Sequence, residues 1–511
     1  MNNCYRPVGF AQGNFASTKL HTVNNTKVLI IGAGPVGLTL ACELARRDIP
    51  FRIIERCAVA PQGSRAKALQ PRSLEILNDL GIAEDLMKIG STELPYRKFQ
   101  GNKMIGETPR TGFPRNDTRY PKTLLIPQPE VEKALRIKLQ ELGGSIEWAT
   151  TLTDFKQSNN GINCQLENDR QHEAMHCSYM VACDGGKSST RKKLGIDFVG
   201  ETHQEEQLWV GDVEVAGLER DAWYNWLSPV FGIAFALFPF RNSNIWQLQA
   251  VMPADQDGNI PAPTLEGFNQ LFKERTQMEG VRLTNSSWQS IYRVNIRRAE
   301  RYRAGNAFIA GDAGHVHSIA GGMGMNTGIQ DACNLGWKLA AVINGHADDR
   351  LLNTYGEERI PIADWLLATT SQRQKVMLDG AKTGKSGFET LGTNDTTQLN
   401  LNYRGSSLSK TGQSTINGLE AGDRAPDVQL TDGSWLSDQL RGTEWKLLLP
   451  GEEKLTALTD LVKVINTSDE HIREAYGGGE AAILIRPDGY IALIAASVQE
   501  VTKYLKQLNG L

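Results

Sequence analysis

Between Lys27 and Glu55 the chain places an apolar run, Gly32-Ala-Gly34-Pro-Val-Gly37, a helical spacing from Pro35 to Asp48 and a second apolar run, Pro50–Glu55. Strand, glycine turn, helix and strand in that order make a βαβ unit, which requires a parallel sheet covered by helices. The first glycine permits the tight turn, the second lets backbone approach a pyrophosphate, and the third allows close helix–strand packing. The helix start then offers free N–H groups and a positive dipole end to phosphates. Glu55 follows at the end of the second strand, where a carboxylate can accept ribose hydroxyls. The glycine pattern alone is weak; with strand, helix and terminal acid it reads as a dinucleotide site. Val28–Ala45 is apolar enough to resemble a membrane span, but its Gly-x-Gly-Pro and Glu43 suit a buried strand–turn–helix better.

At 511 residues the chain is expected to form two or three domains. A 40% hydrophobic and 22% charged composition is that of a soluble globular protein, without membrane insertion. The net charge of -3 and the lack of like-charge blocks argue against nucleic-acid or polybasic membrane contacts. The seven cysteines are scattered and none forms Cys-x-x-Cys, which excludes a disulfide framework or zinc site and fits a cytoplasmic setting. Residues 1–25 are polar, lack a signal-peptide core and read as a loose tail.

Further along, Ser73–Leu80 and Glu130–Leu142 are helix candidates, and Tyr179–Ala182 is a buried strand candidate. Around Thr151–Glu167 and from Gln207 to Pro253 the pattern turns to shorter alternating runs, which predicts an antiparallel sheet inserted into the first domain. Ala307–Ala310 and Asn326–Asn344 return to the strand–helix pattern. The expected α/β architecture is a Rossmann-like domain over 26–95, 120–200 and 300–380, split by an antiparallel domain over 96–119 and 201–299. A Gly/Ser/Thr/Asn-rich linker spans 381–418, and a small α/β unit occupies 419–511.

Two later motifs join the first. Cys183-Asp184-Gly-Gly closes a strand and is followed by Ser188-Ser-Thr-Arg191; alone it would be a common turn. Ala307-Phe-Ile-Ala-Gly311-Asp312-Ala-Gly314-His315 runs through Gly321-Gly322-Met-Gly324-Met325-Asn326 into a long helix. An aspartate there can bind sugar-alcohol hydroxyls. The helix start can stabilise the negative charge that a reduced flavin carries near N1 and O2. His315 and His317 are expected to be structural, because the adjacent Asp312 is needed by the cofactor. Arg56 and Arg65 flank the first site, where arginine can hold phosphates. Trp223-Tyr-Asn-Trp226 has the wrong spacing for a flavin-halogenase signature and reads as aromatic packing.

With these motifs in order, the chain resembles the single-component FAD-dependent aromatic hydroxylases, the group A flavoprotein monooxygenases typified by p-hydroxybenzoate hydroxylase. It looks closest to their three-domain branch, which acts on phenols, aromatic polyketides and rifamycin-type antibiotics and thus belongs to secondary metabolism. The resemblance implies that Glu55 binds the adenosine ribose and that Arg65 and Gln128 contact the pyrophosphate and ribityl region. Asp312 would hold ribityl hydroxyls, and the Gly322, Met325 and Asn326 backbone would face the isoalloxazine. It also implicates Gly32, Gly34, Val36, Gly37 and Leu152 around FAD, and Asp184 with Arg191 near FAD and NAD(P)H. Arg56 favours NADPH over NADH. The C-terminal unit resembles a thioredoxin-like domain and has no cysteine, so a scaffolding or oligomer-contact role is expected, compatible with a homodimer. Relatives carry proline in the loop read here as Val316-His317-Ser318-Ile319-Ala320.

The reaction so implied is hydroxylation of an aromatic substrate, phenolic or polyketide-like, by NAD(P)H and O₂ through a flavin C4a-hydroperoxide. No residue is required as a covalent nucleophile, and no catalytic residue is assigned. Baeyer–Villiger oxygenation or epoxidation on the same fold, an FAD oxidoreductase without oxygen insertion, and a flavin-binding assembly protein are the alternatives. Trp223, Trp226, Phe238 and Trp246 of the inserted sheet are the candidates for walls of a substrate cavity.

Overall fold

The computed structural model describes residues 25–109, 115–168, 171–228, 232–252, 259–318, 321–382, 394–411, 418–449, 461–477 and 481–509. Its first sheet runs in the order Arg303–Ala304, Ala307–Ile309, Gln171–Ala182, Asn25–Ile31, Phe51–Ile54 and Ile146–Glu147. The four central pairings are parallel. Val28, Leu29, Ile30, Val181 and Phe308 are fully buried, as strands covered on both faces require. The Pro35–Ala45 and Gly324–Ile343 helices pack over this sheet. The Thr151–Glu167 alternation does not belong to the inserted sheet. Its strands, Thr150–Ser158 and Gly161–Asn168, form an antiparallel hairpin on Gln171–Ala182, and hence an extension of the first sheet.

The second sheet has eight strands, in the order His315–Val316, Arg282–Ala299, Phe198–Ala216, Ile245–Met252, Gly232–Pro239, Trp223–Ser228, Tyr96–Gln100 and Lys103–Thr108. All pairs are antiparallel except Trp223–Ser228 with Tyr96–Gln100. One face is covered by the Leu265–Thr276 helix, under which Trp226, Phe235, Trp246, Phe268 and Phe272 form a dry core. The other face turns towards the glycine-rich loops of the first domain.

The C-terminal unit is a mixed sheet flanked by helices, the thioredoxin-like architecture expected of it, with a fifth strand, Lys410–Thr411, added from the segment expected to be linker. One of its faces packs on Trp337 and Leu351 of the first domain. Beside that contact lies a closed charge network. Glu358 bridges Lys338 Nζ and Arg486, each at 2.6 Å, and Arg486 also reaches Asp488 at 2.6 Å. Asn334 Nδ2 donates to Glu358 at 2.7 Å. Two cations and two carboxylates, all buried, neutralise one another across the seam. The Arg486-Pro-Asp-Gly489 turn is therefore also the pin that fixes this unit to the Gly324–Ile343 helix. No described helix is long and apolar enough to cross a membrane.

Candidate active site

Each of the three glycines of the first turn meets a different surrounding. Gly32 has φ +103°, and a Cβ there would lie 2.5 Å from the Cys183 carbonyl. A Cβ on Gly37 would lie 2.0 Å from the Gly32 carbonyl. A Cβ on Gly34 would meet nothing within 4 Å. The first and third glycines are thus required by protein packing, while the second faces open space at the helix start, where a phosphate group can approach. Val36 is turned the other way: its side chain fills the gap beside Gly311 and Gly328, where added Cβ atoms would lie 2.7 and 2.5 Å from Val36 Cγ2. Only the Val36 backbone is left for a ligand.

Glu55 stands at the end of the Phe51–Ile54 strand, and its carboxylate accepts the Ala33 and Cys57 N–H groups, both at 3.0 Å. These bonds aim it along the glycine turn. Arg56 beside it is exposed. Leu152 is buried in a cluster with Leu29, Ile54 and Leu166, so its side chain belongs to the core. Asp184 Oδ2 accepts the Thr190 N–H and hydroxyl at 3.2 and 3.1 Å, while Oδ1 is buried with no partner. Arg191 is used structurally: it donates to the Ala313 and Gly186 carbonyls and lies 3.8 Å over the Phe198 ring. It ties the Asp184 turn to the Gly311 turn.

Asp312 follows Gly311, which packs against Val36 of the first glycine turn. Its carboxyl is solvent-accessible, yet the walls displace most of the water around it. That desolvation raises its ionisation above the ordinary aspartate value, and His315 and Arg65 pull it back. Arg65 is exposed on the loop facing Asp312. The loop itself is fixed by Gln128, whose Oε1 accepts the Ala66 N–H at 3.1 Å and whose Nε2 donates to Glu132 at 2.8 Å. Both ends of the Gln128 carboxamide are therefore occupied by protein.

The second glycine-rich loop is strapped to the first domain by Asn326. Its Oδ1 accepts the Gln70 N–H at 2.7 Å, and its Nδ2 donates to the Ala68 and Gly322 carbonyls at 3.1 and 2.9 Å. Gln70 Nε2 returns a bond to the Gly321 carbonyl at 3.0 Å. Gly321 and Gly322 have φ of +103° and +61°, a path that suits glycine. The Gly324–Ile343 helix starts here with Met325 half-buried in its first turn, and a helix start carries N–H groups without intrahelical partners.

Both histidines bond to protein through one ring nitrogen. His315 Nε2 donates to Asp331 at 2.8 Å; the same carboxylate accepts the Gly311 N–H and is paired with Arg359 at 2.7 Å. His317 Nδ1 donates to the Ser318 carbonyl at 2.6 Å, and burial lowers its ionisation to about 4. Tyr292 donates its hydroxyl to the His317 carbonyl at 2.7 Å, holding the loop against the second sheet. Ile319 and Ala320 lie outside the described residues.

Strand register sorts the four aromatic candidates. Trp223 and Phe238 pack edge-to-face, 4.9 Å between centroids, on the face turned to the first domain. Trp226 and Trp246 project to the opposite face and are sealed beneath the Leu265–Thr276 helix. These two are core residues, because side chains alternate across a strand. The inward face also carries residues that the sequence reading passed over. Asp212 Oδ2 accepts the Ser64 N–H at 2.8 Å, and Gln247 Nε2 donates to the Ser64 carbonyl. Burial raises Asp212 to about 6. Polar Gln247 and Gln249 alternating with Trp246, Leu248 and Ala250 was the signal that would have revealed this face.

Residues 25–370 match the FAD binding domain family, and residues 419–510 match the aromatic-ring hydroxylase C-terminal domain. The chain belongs to the FAD-dependent aromatic-ring hydroxylases. A flavin-dependent monooxygenase of Mycobacteroides abscessus is 36% identical over 94% of this chain and 99% of its own. Pentachlorophenol 4-monooxygenase of Sphingobium chlorophenolicum is 31% identical over 90% and 86%. Among solved structures, the anhydrotetracycline hydroxylase OxyS of Streptomyces rimosus superposes with a TM-score of 0.74 at 28% identity, covering 95% of this chain and 99% of its own.

The residues present fit the cofactor of that family. The open face at Gly34, the Glu55 carboxylate at the glycine turn, the unpartnered Asp184 Oδ1 and the exposed Asp312 are groups of the kinds that a pyrophosphate and sugar hydroxyls require. This hydroxylase is accordingly an FAD-dependent monooxygenase that takes its electrons from NAD(P)H.

Proposed function

We propose that this hydroxylase inserts one oxygen atom into a phenolic or polyketide-like aromatic substrate, and that the cleft between the glycine-rich loops and the inward face of the second sheet is its active site. The observation that carries the reading is the meeting of the two parts. Ser64, in the loop that continues to the flavin-side strap, is bonded to Asp212 and Gln247 of the inserted sheet.

In this reading FAD supplies the electron transfer and oxygen activation. Gly34 and the helix start hold its pyrophosphate, Glu55 its adenosine ribose, and Arg65 its phosphates. Asp312, with its raised ionisation, binds ribityl hydroxyls, while the backbone of Gly322, Met325 and Asn326 faces the isoalloxazine. Gln128 and Asn326 act as positioning residues, since their carboxamides are engaged by protein. Asp184 meets the cofactor through its free oxygen. Trp223 and Phe238 form the apolar wall that orients the aromatic ring and excludes water. The cofactor domain is assembled from 26–95, 120–200 and 300–380 and the substrate domain from 96–119 and 201–299. Arg56, exposed beside Glu55, selects NADPH over NADH.

Anaerobic reduction of the FAD-loaded protein tests this reading. NADPH should bleach the flavin faster than NADH, and an aromatic substrate that binds the cleft should accelerate bleaching. A flavin that neither nucleotide bleaches in the presence of a panel of phenols and polyketides would overturn it.

A further inference from the structure

Lys67 stands alone in the cleft. It lies one residue from Ala66, whose N–H is bonded to Gln128, and one from Ala68, whose carbonyl is bonded to Asn326. The loop is thus fixed on both sides and the lysine stem is directed outward from it. Nζ lies 4.3 Å from the centroid of the Phe238 ring, on the sheet face that also carries Trp223. Among the described residues no carboxylate pairs with it, and its one described partner is the Phe238 π-face. Lys67 is half-buried, and the desolvation of its ammonium beside the Phe238 ring is offset by no counter-ion among the described residues.

A lysine desolvated without a counter-ion is unfavourable for stability, and a cation–π contact offsets only part of the loss. Its surroundings fit a guest: an aromatic wall for a ring, and a cation at the end nearest the flavin-side strap. We propose that Lys67 binds the substrate's acidic hydroxyl and holds it as the oxyanion, which limits the substrates to aromatics that carry an ionisable hydroxyl on the edge facing the Asn326 strap. This inference rests on the aromatic-hydroxylase reading above.

The proton balance is simple. The substrate O–H bond breaks with its electron pair left on oxygen, and the proton joins the lone pair of the neutral Lys67 amine. The resulting ammonium then faces the oxyanion as a charge-assisted hydrogen bond. An oxyanion pushes electron density into the ring, which favours attack by an electrophilic oxygen donor. Burial draws Lys67 down from 10.5 to about 7, so a large share of free amine is present at neutral pH. Desolvation is the cause of that fall, with no charged neighbour among the described residues acting on the amine.

The test titrates FAD-loaded protein with 4-nitrophenol, whose ionised form is yellow, across a pH series. Wild type should bind the probe as the phenolate and lower the pH at which the bound probe ionises. Lys67→Met and Lys67→Gln should lose that shift and bind the phenolate about ten- to hundredfold more weakly. Lys67→Arg should retain most of the affinity. A structural role would instead lower the melting temperature of Lys67→Met, whereas removal of a lone desolvated cation should leave it equal or higher. An unchanged ionisation shift in both neutral variants, or no binding of the probe by wild type, would overturn the assignment. Oxygen incorporation is read separately. Labelled product from a Lys67→Met enzyme with an unaltered nitrophenolate shift would sink Lys67 alone. A Lys67-dependent shift without oxygenation of any aromatic would sink the hydroxylase substrate reading alone.

Discussion

The Asn326 side-chain oxygen accepts the backbone N–H of Gln70 at 2.7 Å, joining the first turn of the flavin-side helix to the loop that carries Arg65 and Lys67. The glycine-rich loop before this helix and the 63–70 loop, 256 residues apart at this bond, are thereby held as one surface. Asn326→Ala would leave the Gln70 N–H and the Ala68 and Gly322 carbonyls without this partner. The expected loss is about 1–3 kcal/mol, visible as a lower melting temperature, together with faster release of FAD on dilution. Asn326→Asp should restore the Gln70 bond but not those to the two carbonyls, and fall between.

The glycine turn predicts a contrast between two alanine variants. Gly37→Ala places a Cβ 2.0 Å from the Gly32 carbonyl and should prevent correct folding of the first domain. Gly34→Ala adds a Cβ that meets nothing within 4 Å, so the apoprotein should melt as wild type does. Its FAD affinity should nevertheless fall by roughly tenfold or more, because the methyl occupies the phosphate approach. Calorimetric titration of apoprotein with FAD checks both.

Asp212 makes stability depend on acid pH. Its ionisation is raised to about 6, while in the unfolded chain it titrates near 3.8. Between these values the folded protein keeps a proton that the unfolded chain has released. Its contribution to stability is therefore complete below about pH 4 and is lost as pH rises through 6. Asp212→Asn keeps an acceptor for the Ser64 N–H and removes this titration. The wild-type minus variant stability should fall by about 2–3 kcal/mol from pH 4 to pH 7, measured from unfolding midpoints at each pH.

The buried seam with the C-terminal unit predicts a large, specific effect. Glu358→Ala strands Lys338 and Arg486 without their shared carboxylate. About 3–5 kcal/mol should be lost, read as a drop in melting temperature. Replacing Lys338, Glu358, Arg486 and Asp488 together by apolar residues of similar volume should recover most of it, because the loss comes from unpaired charge and not from missing attraction.

The parts of this molecule that were legible in the sequence are those in which local chemistry fixes local structure. Gly32 and Gly311 adopt left-handed φ values at turns that their motifs announce, and the βαβ pattern of Lys27–Glu55 determines a parallel sheet. The alternation at Thr151–Glu167 revealed antiparallel strands but not which sheet they extend, since pairing partners lie outside the pattern. Alternation puts Trp223 and Trp226 on opposite faces of their strand, but which face the Leu265–Thr276 helix covers is set by packing outside the pattern. Val36 and Leu152 stand beside cofactor motifs yet pack inward, since a neighbouring backbone says nothing about where a side chain turns. Asp212, Lys67 and the Glu358–Arg486 pair acquire meaning only through contacts between distant segments.

Mass spectrometry of product formed under ¹⁸O₂ with a phenolic or polyketide substrate, with NADPH consumption followed in parallel, tests the central claim most directly. The account predicts product carrying one ¹⁸O atom, formed in proportion to NADPH oxidised. Product without label, or NADPH consumed with peroxide as the only oxygen-derived product across all bound aromatics, would contradict it.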